Sequence, residues 1–64
     1  MRIFKYSLGE RVNTEFDGPG VVIAQYLSIM RDGEEFRQYA IEFNENEICM
    51  YDEEGLTPIW TRLN

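Results

Sequence analysis

Residues 21–43 read VVIAQYLSIMRDGEEFRQYAIEF, and they carry the clearest indication of the fold class. Two runs rich in β-branched, aliphatic and aromatic residues flank the dipeptide Asp32-Gly33. Asp-Gly is typical of a two-residue hairpin turn, because both central residues of that turn need positive φ. The stretch therefore predicts a β-hairpin. The register of this turn pairs Ile29 with Phe36, Tyr26 with Tyr39, Ala24 with Ile41, and Val22 with Phe43.

A second turn is predicted at Glu45-Asn46, and it brings a third strand beside the hairpin. It pairs Phe43 with Ile48 and Ile41 with Met50. Both registers place apolar residues on one face, and such agreement is expected of a correct register because side chains alternate between the two faces. The predicted core is lined by Val22, Tyr39, Ile41, Phe43, Ile48 and Met50.

Near the turn the first face of the hairpin becomes polar, whereas the opposite face is apolar there, at Leu27, Ile29 and Phe36. Two interpretations are open. The long strand coils or bulges near residues 25–27, so that these side chains are buried. Alternatively they form an exposed contact patch for a partner or for a second copy of the chain, since clustered exposed apolar residues usually mark contacts.

The spacing of turn residues predicts the rest of the architecture. Short runs of strand-forming residues alternate with turn signals at Gly9, 18–20, 32–33, 44–46, Gly55 and Pro58. Such spacing indicates an all-β sandwich or barrel. The chain has 64 residues, so we expect one domain that spans residues 1–64. Residues 52–56 predict one short 3-10 or helical turn, with Asp52 as its N-cap and Leu56 folded back onto the core.

Several function classes are disfavoured by composition. The chain has no histidine, and its one cysteine, Cys49, leaves no partner for an internal disulfide or a cysteine-based zinc site. We expect no cofactor, no metal and no enzymatic activity. No apolar run reaches the about 20 residues of a membrane span, and the N-terminus lacks a signal-peptide pattern, which predicts a cytoplasmic protein.

The stretch Gly18-Pro19-Gly20 raises the question of a phosphate-binding loop. Such a loop leads into a helix N-terminus and includes a lysine that contacts the phosphate. Here a strand-forming run follows, and Asp17 stands beside the turn. We interpret the stretch as a corner of the sheet, where glycine supplies room or unusual backbone angles.

The net charge of the chain indicates which kind of partner it could bind. Acidic residues number 12 against 6 basic ones, giving a net charge of −6, and most of the acids lie in the second half of the chain. This balance repels nucleic acid and suits a basic partner or a solvated face. The acids lack the order of a calcium loop, and the chain is short for a glycosidase cleft.

A wider pattern resembles a known group of folds. It consists of Gly9-Glu10-Arg11-Val12, Thr14, Phe16, Gly18, Gly20 and Val22, followed by Tyr39, Ile41 and Phe43, and then by Leu56, Pro58 and Ile59. Together these residues resemble SH3-like small barrels of the KOW and Tudor group. The resemblance implies a five-stranded barrel and a binding role, since such barrels recognise nucleic acids, peptides or modified side chains. A Tudor-like aromatic cage of Phe16, Tyr39 and Tyr51 stays open, although Tyr39 is also assigned to the core.

The sequence thus predicts a non-enzymatic protein-interaction module with an acidic surface and an apolar hairpin tip. The expected contact residues are Leu27, Ile29, Phe36, Glu45, Glu47, Asp52, Glu53 and Glu54. The alternative is a small acidic nucleic-acid mimic, of the kind phages use against a host nucleic-acid-binding protein. Direct nucleic-acid binding through Arg2, Lys5 and Arg11 is the less favoured third possibility.

Overall fold

The computed structural model describes residues 3–59 and consists of one five-stranded antiparallel sheet. Its strands are β1 (Arg11–Thr14), β2 (Gly18–Ile29), β3 (Glu35–Glu42), β4 (Ile48–Asp52) and β5 (Leu56–Pro58). Short 3-10 turns lie at Asn44–Asn46 and Glu53–Gly55. The prediction of an all-β fold is confirmed, and so is the short turn near residues 52–56.

The strands follow the order β4-β3-β2-β1-β5. The first part of β2 pairs with β1 and the remainder pairs with β3, with a β-bulge between Val22 and Ala24. This bulge lies slightly earlier than the predicted bend at residues 25–27. Within residues 3–59, β4 and β5 are edge strands and do not pair with each other. Closure into a barrel therefore stays a prediction.

The register predicted for β2 and β3 was wrong by one residue over positions 24–29, and by two at Val22, which pairs with Ile41 rather than with Phe43 because of the bulge. The Asp32-Gly33 turn is a three-residue loop: the Met30 amide donates to the Glu34 carbonyl at 2.7 Å, and the Gly33 amide donates to the Met30 carbonyl at 2.9 Å. Gly33 has a φ of 89°, as is typical of the last residue of such a loop. The additional loop residue pairs Tyr39 with Gln25 instead of Tyr26.

The register predicted for β3 and β4 was also wrong by one residue. Ile41 pairs with Cys49 rather than with Met50, because residues 44–46 form a three-residue connection. Since a slip of one residue exchanges the two faces of a strand, Tyr51 is buried and Cys49 packs against the core. Ile48 and Met50 are 55% and 51% exposed, so their assignment to the core was wrong.

One buried cluster receives side chains from all five strands. It contains Tyr6, Val12, Val22, Tyr39, Ile41, Tyr51 and Leu56, with Phe43 half-buried against it. The predicted burial of Val22, Tyr39, Ile41 and Leu56 is confirmed. Tyr6, which precedes β1, was not predicted, yet its ring packs edge-on against the Tyr39 ring at 5.5 Å.

The corner at Gly18-Pro19-Gly20 begins β2. Gly18 has a φ of 77°, which an L side chain adopts only with strain. At Gly20 the constraint is space, because a Cβ atom there would lie 2.5 Å from Ile41 Cγ2 and 2.9 Å from the Glu42 carbonyl oxygen. The corner thus allows β2 to cross closely over the end of β3.

The turn at Glu53–Gly55 differs from the prediction in its cap. The Asp52 side chain makes no capping hydrogen bond. Its Oδ1 atom instead accepts a hydrogen bond of 2.9 Å from Gln38 Nε2, across the β3–β4 pair. The predicted role of Arg2 concerns a position outside the described residues.

Candidate functional site

The turn between β1 and β2 presents an aromatic side chain to solvent. The Thr14 hydroxyl donates to the Gly18 carbonyl at 2.6 Å and accepts from the Asp17 amide at 3.0 Å. These two bonds fix the turn and leave Phe16 at its tip, 81% exposed. An exposed phenylalanine ring on a fixed turn is available for contact with a partner.

An open groove of about 640 Å³ lies between this turn, β4 and the turn at Glu53–Gly55, and we call it the acidic groove. Its lining includes four carboxylates and no basic side chain. The lining residues are Glu15, Phe16, Asp17, Cys49, Met50, Tyr51, Asp52, Glu54 and Gly55.

Two contacts hold the walls of the acidic groove together. The Tyr51 hydroxyl donates a hydrogen bond to the Asp17 carboxylate, which joins β4 to the β1–β2 turn. That bond raises the pKa of the Tyr51 hydroxyl, because ionisation would place a negative charge beside the carboxylate. At the other wall the Glu15 amide donates to the Gly55 carbonyl at 3.0 Å. Contacts within the chain itself therefore fix the shape of the acidic groove.

A second groove of about 410 Å³ adjoins the first beyond the end of β4. Its lining holds five carboxylates and one cation, Arg37. The Arg37 guanidinium forms an ion pair of 2.8 Å with Glu35 and also donates to the Ile3 carbonyl. Asp52 and Glu54 line both grooves, which therefore meet at the turn Glu53–Gly55. The remaining lining residues of the second groove are Glu34, Phe36 and Glu53.

The three apolar residues predicted for the hairpin tip are exposed, but they do not share one face. Ser28 pairs with Phe36, and Ile29 pairs with Glu35. Because side chains alternate, Phe36 lies on the opposite face from Leu27 and Ile29. The alternative in which a coiled strand buries all three is wrong, since each is exposed. Phe36 lies in the second groove, together with predicted acids.

The predicted acidic residues fall into separate places. Asp52, Glu53 and Glu54 come together at the grooves, whereas Glu47 is exposed at the other end of β4. The side chain of Glu45 lies outside the described part of the structure. The Glu53 carboxylate makes hydrogen bonds within the chain. Its Oε2 atom accepts one from the Tyr39 hydroxyl and another, of 3.2 Å, from the Lys5 amide.

Tyr39 belongs to the core and not to an aromatic cage. Its side chain is 0% exposed, and burial together with the hydrogen bond to Glu53 raises the pKa of its hydroxyl to about 12. Phe16 and Tyr51 do meet, as lining residues of the acidic groove. A cage that includes Tyr39 is therefore excluded.

The predicted contact residues did not include Glu15, Asp17 and Met50, which line the acidic groove, and Phe16 was named only as a member of the aromatic cage. One signal was present in the sequence: Phe16 stands between two acids in a turn, where a large apolar side chain is unusual. Met50 could not be found in this way, because its exposure depends on the β3–β4 register.

Within residues 3–59, no cluster of three or more Cys, Asp or Glu side chains is arranged to hold a metal ion. The helical segments in this range are two three-residue turns, and none could span a membrane. Cys49 is a half-buried free thiol that packs against the core.

Comparison with known proteins gives no match to a family model, a curated protein or a solved structure.

Proposed function

We propose that this protein is a non-enzymatic interaction module that binds a basic protein partner through its two adjoining grooves. One observation carries the proposal: carboxylates line both grooves, and exposed Phe16 and Phe36 stand beside them. Alternating anionic and apolar surface favours a partner with cationic and apolar side chains.

The electrostatic part of this binding is expected to act at long range. Glu15, Asp17, Asp52 and Glu54 are all exposed, and the whole chain carries a net charge of −6. A field of one sign steers an oppositely charged partner and accelerates association, and salt weakens it. The apolar side chains then contribute the contact area that holds the complex together.

We also propose that the sheet forms an SH3-like barrel of the KOW and Tudor type in a cytoplasmic protein. The strand order, the bulge in the long second strand and the single cluster reached by all five strands support this architecture. A crystal structure in which β2 is straight and does not bend at the bulge between Val22 and Ala24 would contradict the barrel architecture.

The test compares capture of proteins from a lysate of the source cells by three immobilised forms. The groove variant carries Asp52→Asn and Glu54→Gln, which remove two charges shared by both grooves. The matched control carries Glu42→Gln and Glu47→Gln, which remove two charges outside the grooves. We expect the wild type and the control to retain the same basic protein and the groove variant to lose it.

The remaining outcomes decide between the alternatives. Equal losses in both variants indicate that net charge alone drives capture, which contradicts a groove-specific site. A retained nucleic-acid-binding protein that duplex DNA displaces would support the nucleic-acid mimic instead. Phe36→Glu tests the tip: its half-exposed side chain permits folding, and a lower mass in light scattering would reveal a homo-oligomer held by this residue.

A further inference from the structure

Within residues 3–59, strand β4 is paired along one edge only. That edge pairs with β3, and the Phe43 amide donates to the Glu47 carbonyl at 2.8 Å at the start of that ladder. Hydrogen-bonded and non-hydrogen-bonded pairs alternate in an antiparallel ladder. Cys49 and Tyr51 are therefore the β4 residues that bond to β3.

The intervening residues Ile48, Met50 and Asp52 direct their backbone amides and carbonyls away from β3. Among residues 3–59, no strand pairs with β4 on that side. An exposed edge of this kind is a template for another extended chain.

The acidic groove runs along this free edge. Four successive residues, Cys49 to Asp52, line it. Their side chains point alternately to the two faces of the sheet, so a single groove touches all of them only if it lies beside the strand. Since β3 occupies the other side, the groove is beside the free edge, with the β1–β2 turn as its far wall.

The surroundings of the edge differ between the two faces. On one face Ile48 and Met50 are apolar and more than half exposed. On the other face the Tyr51 hydroxyl donates to Asp17 of the far wall, which also presents Glu15 and Phe16. A strand added here would place alternate side chains beside apolar surface and beside carboxylates.

We propose that β4 accepts an added antiparallel strand from the basic partner, in which apolar and basic residues alternate. This inference rests on the proposed function and names the segment that the acidic groove takes. Main-chain hydrogen bonds to the edge supply affinity, and the alternating side chains supply specificity. A second copy of the chain is disfavoured as the occupant, because both copies carry a net charge of −6.

The test uses three synthetic peptides with the same charge and the alternating sequence Val-Lys repeated four times. One is unmodified, one is N-methylated at each valine, and one is N-methylated at each lysine. In an antiparallel addition the valines lie opposite Ile48, Met50 and Asp52, so their amides face β4. N-methylation of the valines therefore blocks pairing, whereas N-methylation of the lysines modifies only the outer edge.

Binding is measured by titration of the ¹⁵N-labelled protein, with hydrogen exchange of the β4 amides as a second readout. We expect the unmodified and lysine-methylated peptides to bind and to protect the Ile48 and Met50 amides. We expect the valine-methylated peptide to bind at least about tenfold more weakly, because several main-chain hydrogen bonds are lost.

Each other result has a definite meaning. Equal binding of both methylated peptides overturns strand addition and leaves the acidic interaction module intact. Stronger loss with the lysine-methylated peptide overturns the antiparallel direction. Absence of binding by the unmodified peptide overturns the inference, while the capture experiment decides the proposed function separately.

A protein variant provides an independent check. Met50→Pro removes an amide that faces away from β3, a position at which an edge strand tolerates proline. We expect the amide NMR signals of residues outside β4 to stay unchanged in this variant. We also expect the variant to lose binding of the unmodified peptide. Unchanged binding by the folded variant would contradict the proposal, and if the variant does not fold, the methylated peptides still decide.

Discussion

Replacement of Tyr39 by phenylalanine tests the contact that ties the segment before β1 to the core. The Tyr39 hydroxyl donates to Glu53 and accepts from the amides of Lys5 at 3.1 Å and Tyr6 at 3.4 Å. Its ring packs edge-on against Phe4 and Tyr6, with centroids 5.8 and 5.5 Å apart. Tyr39→Phe keeps the ring contacts and removes only the hydroxyl.

The expected cost follows from the groups left behind. The Lys5 amide keeps its second acceptor on Glu53, whereas the Tyr6 amide loses its contact with the hydroxyl in a buried setting. Leaving a buried polar group unsatisfied costs about 1–3 kcal/mol. We therefore expect Tyr39→Phe to lower the free energy of unfolding by about 1–3 kcal/mol.

Urea unfolding at neutral pH, followed by far-UV circular dichroism, measures this change. Tyr26→Phe is the matched control, because the same hydroxyl is removed from a side chain that is 47% exposed. We expect the control to change stability by less than about 0.5 kcal/mol, as is usual for surface substitutions. Amide exchange at Tyr6 should also accelerate in Tyr39→Phe and not in the control. Equal costs for the two variants, or an unchanged Tyr6 exchange rate, would refute the assigned role of the hydroxyl.

Three further predictions test the register, the corner and the titration of the core. Ile41→Ala should cost about 2–5 kcal/mol in urea unfolding, because Ile41 is fully buried, and Met50→Ala should cost much less; equal costs would restore the register expected from the sequence. Gly20→Ala should lower stability by about 1–3 kcal/mol in thermal unfolding, because the new Cβ meets Ile41 and the Glu42 carbonyl, and a stabilised variant would contradict that close approach. The raised pKa of Tyr39, about 12 against an ordinary 10.0, means that the folded state holds this proton more tightly. Its contribution to stability should be complete below about pH 10 and lost as the pH rises through about 12; urea midpoints across this range should decline less in Tyr39→Phe than in the wild type.

Much of the fold follows from local patterns in the sequence. Strand-forming runs and turn residues correctly predicted an all-β chain, the β2–β3 hairpin, the short turn near residues 52–56 and the burial of Leu56. These features depend on residues close together in the chain, where backbone preferences act directly.

Those local patterns do not determine the registers of the β2–β3 and β3–β4 pairs. Asp32-Gly33 suits a two-residue turn and also the end of a three-residue loop, and the two differ by one residue. That difference exchanges the faces of a strand, and the connection at 44–46 repeats the ambiguity for β4. As a result, Met50 was assigned to the core although it lines the acidic groove.

Local sequence patterns are enough to establish an all-β chain, a net negative charge and the acidic run at residues 52–54. Which acids lie close together depends on long-range packing, because the acidic groove joins residues 15–17 to residues 49–55. Segments so far apart in the chain come together only when the sheet folds around its core, and packing, rather than local preference, sets that arrangement.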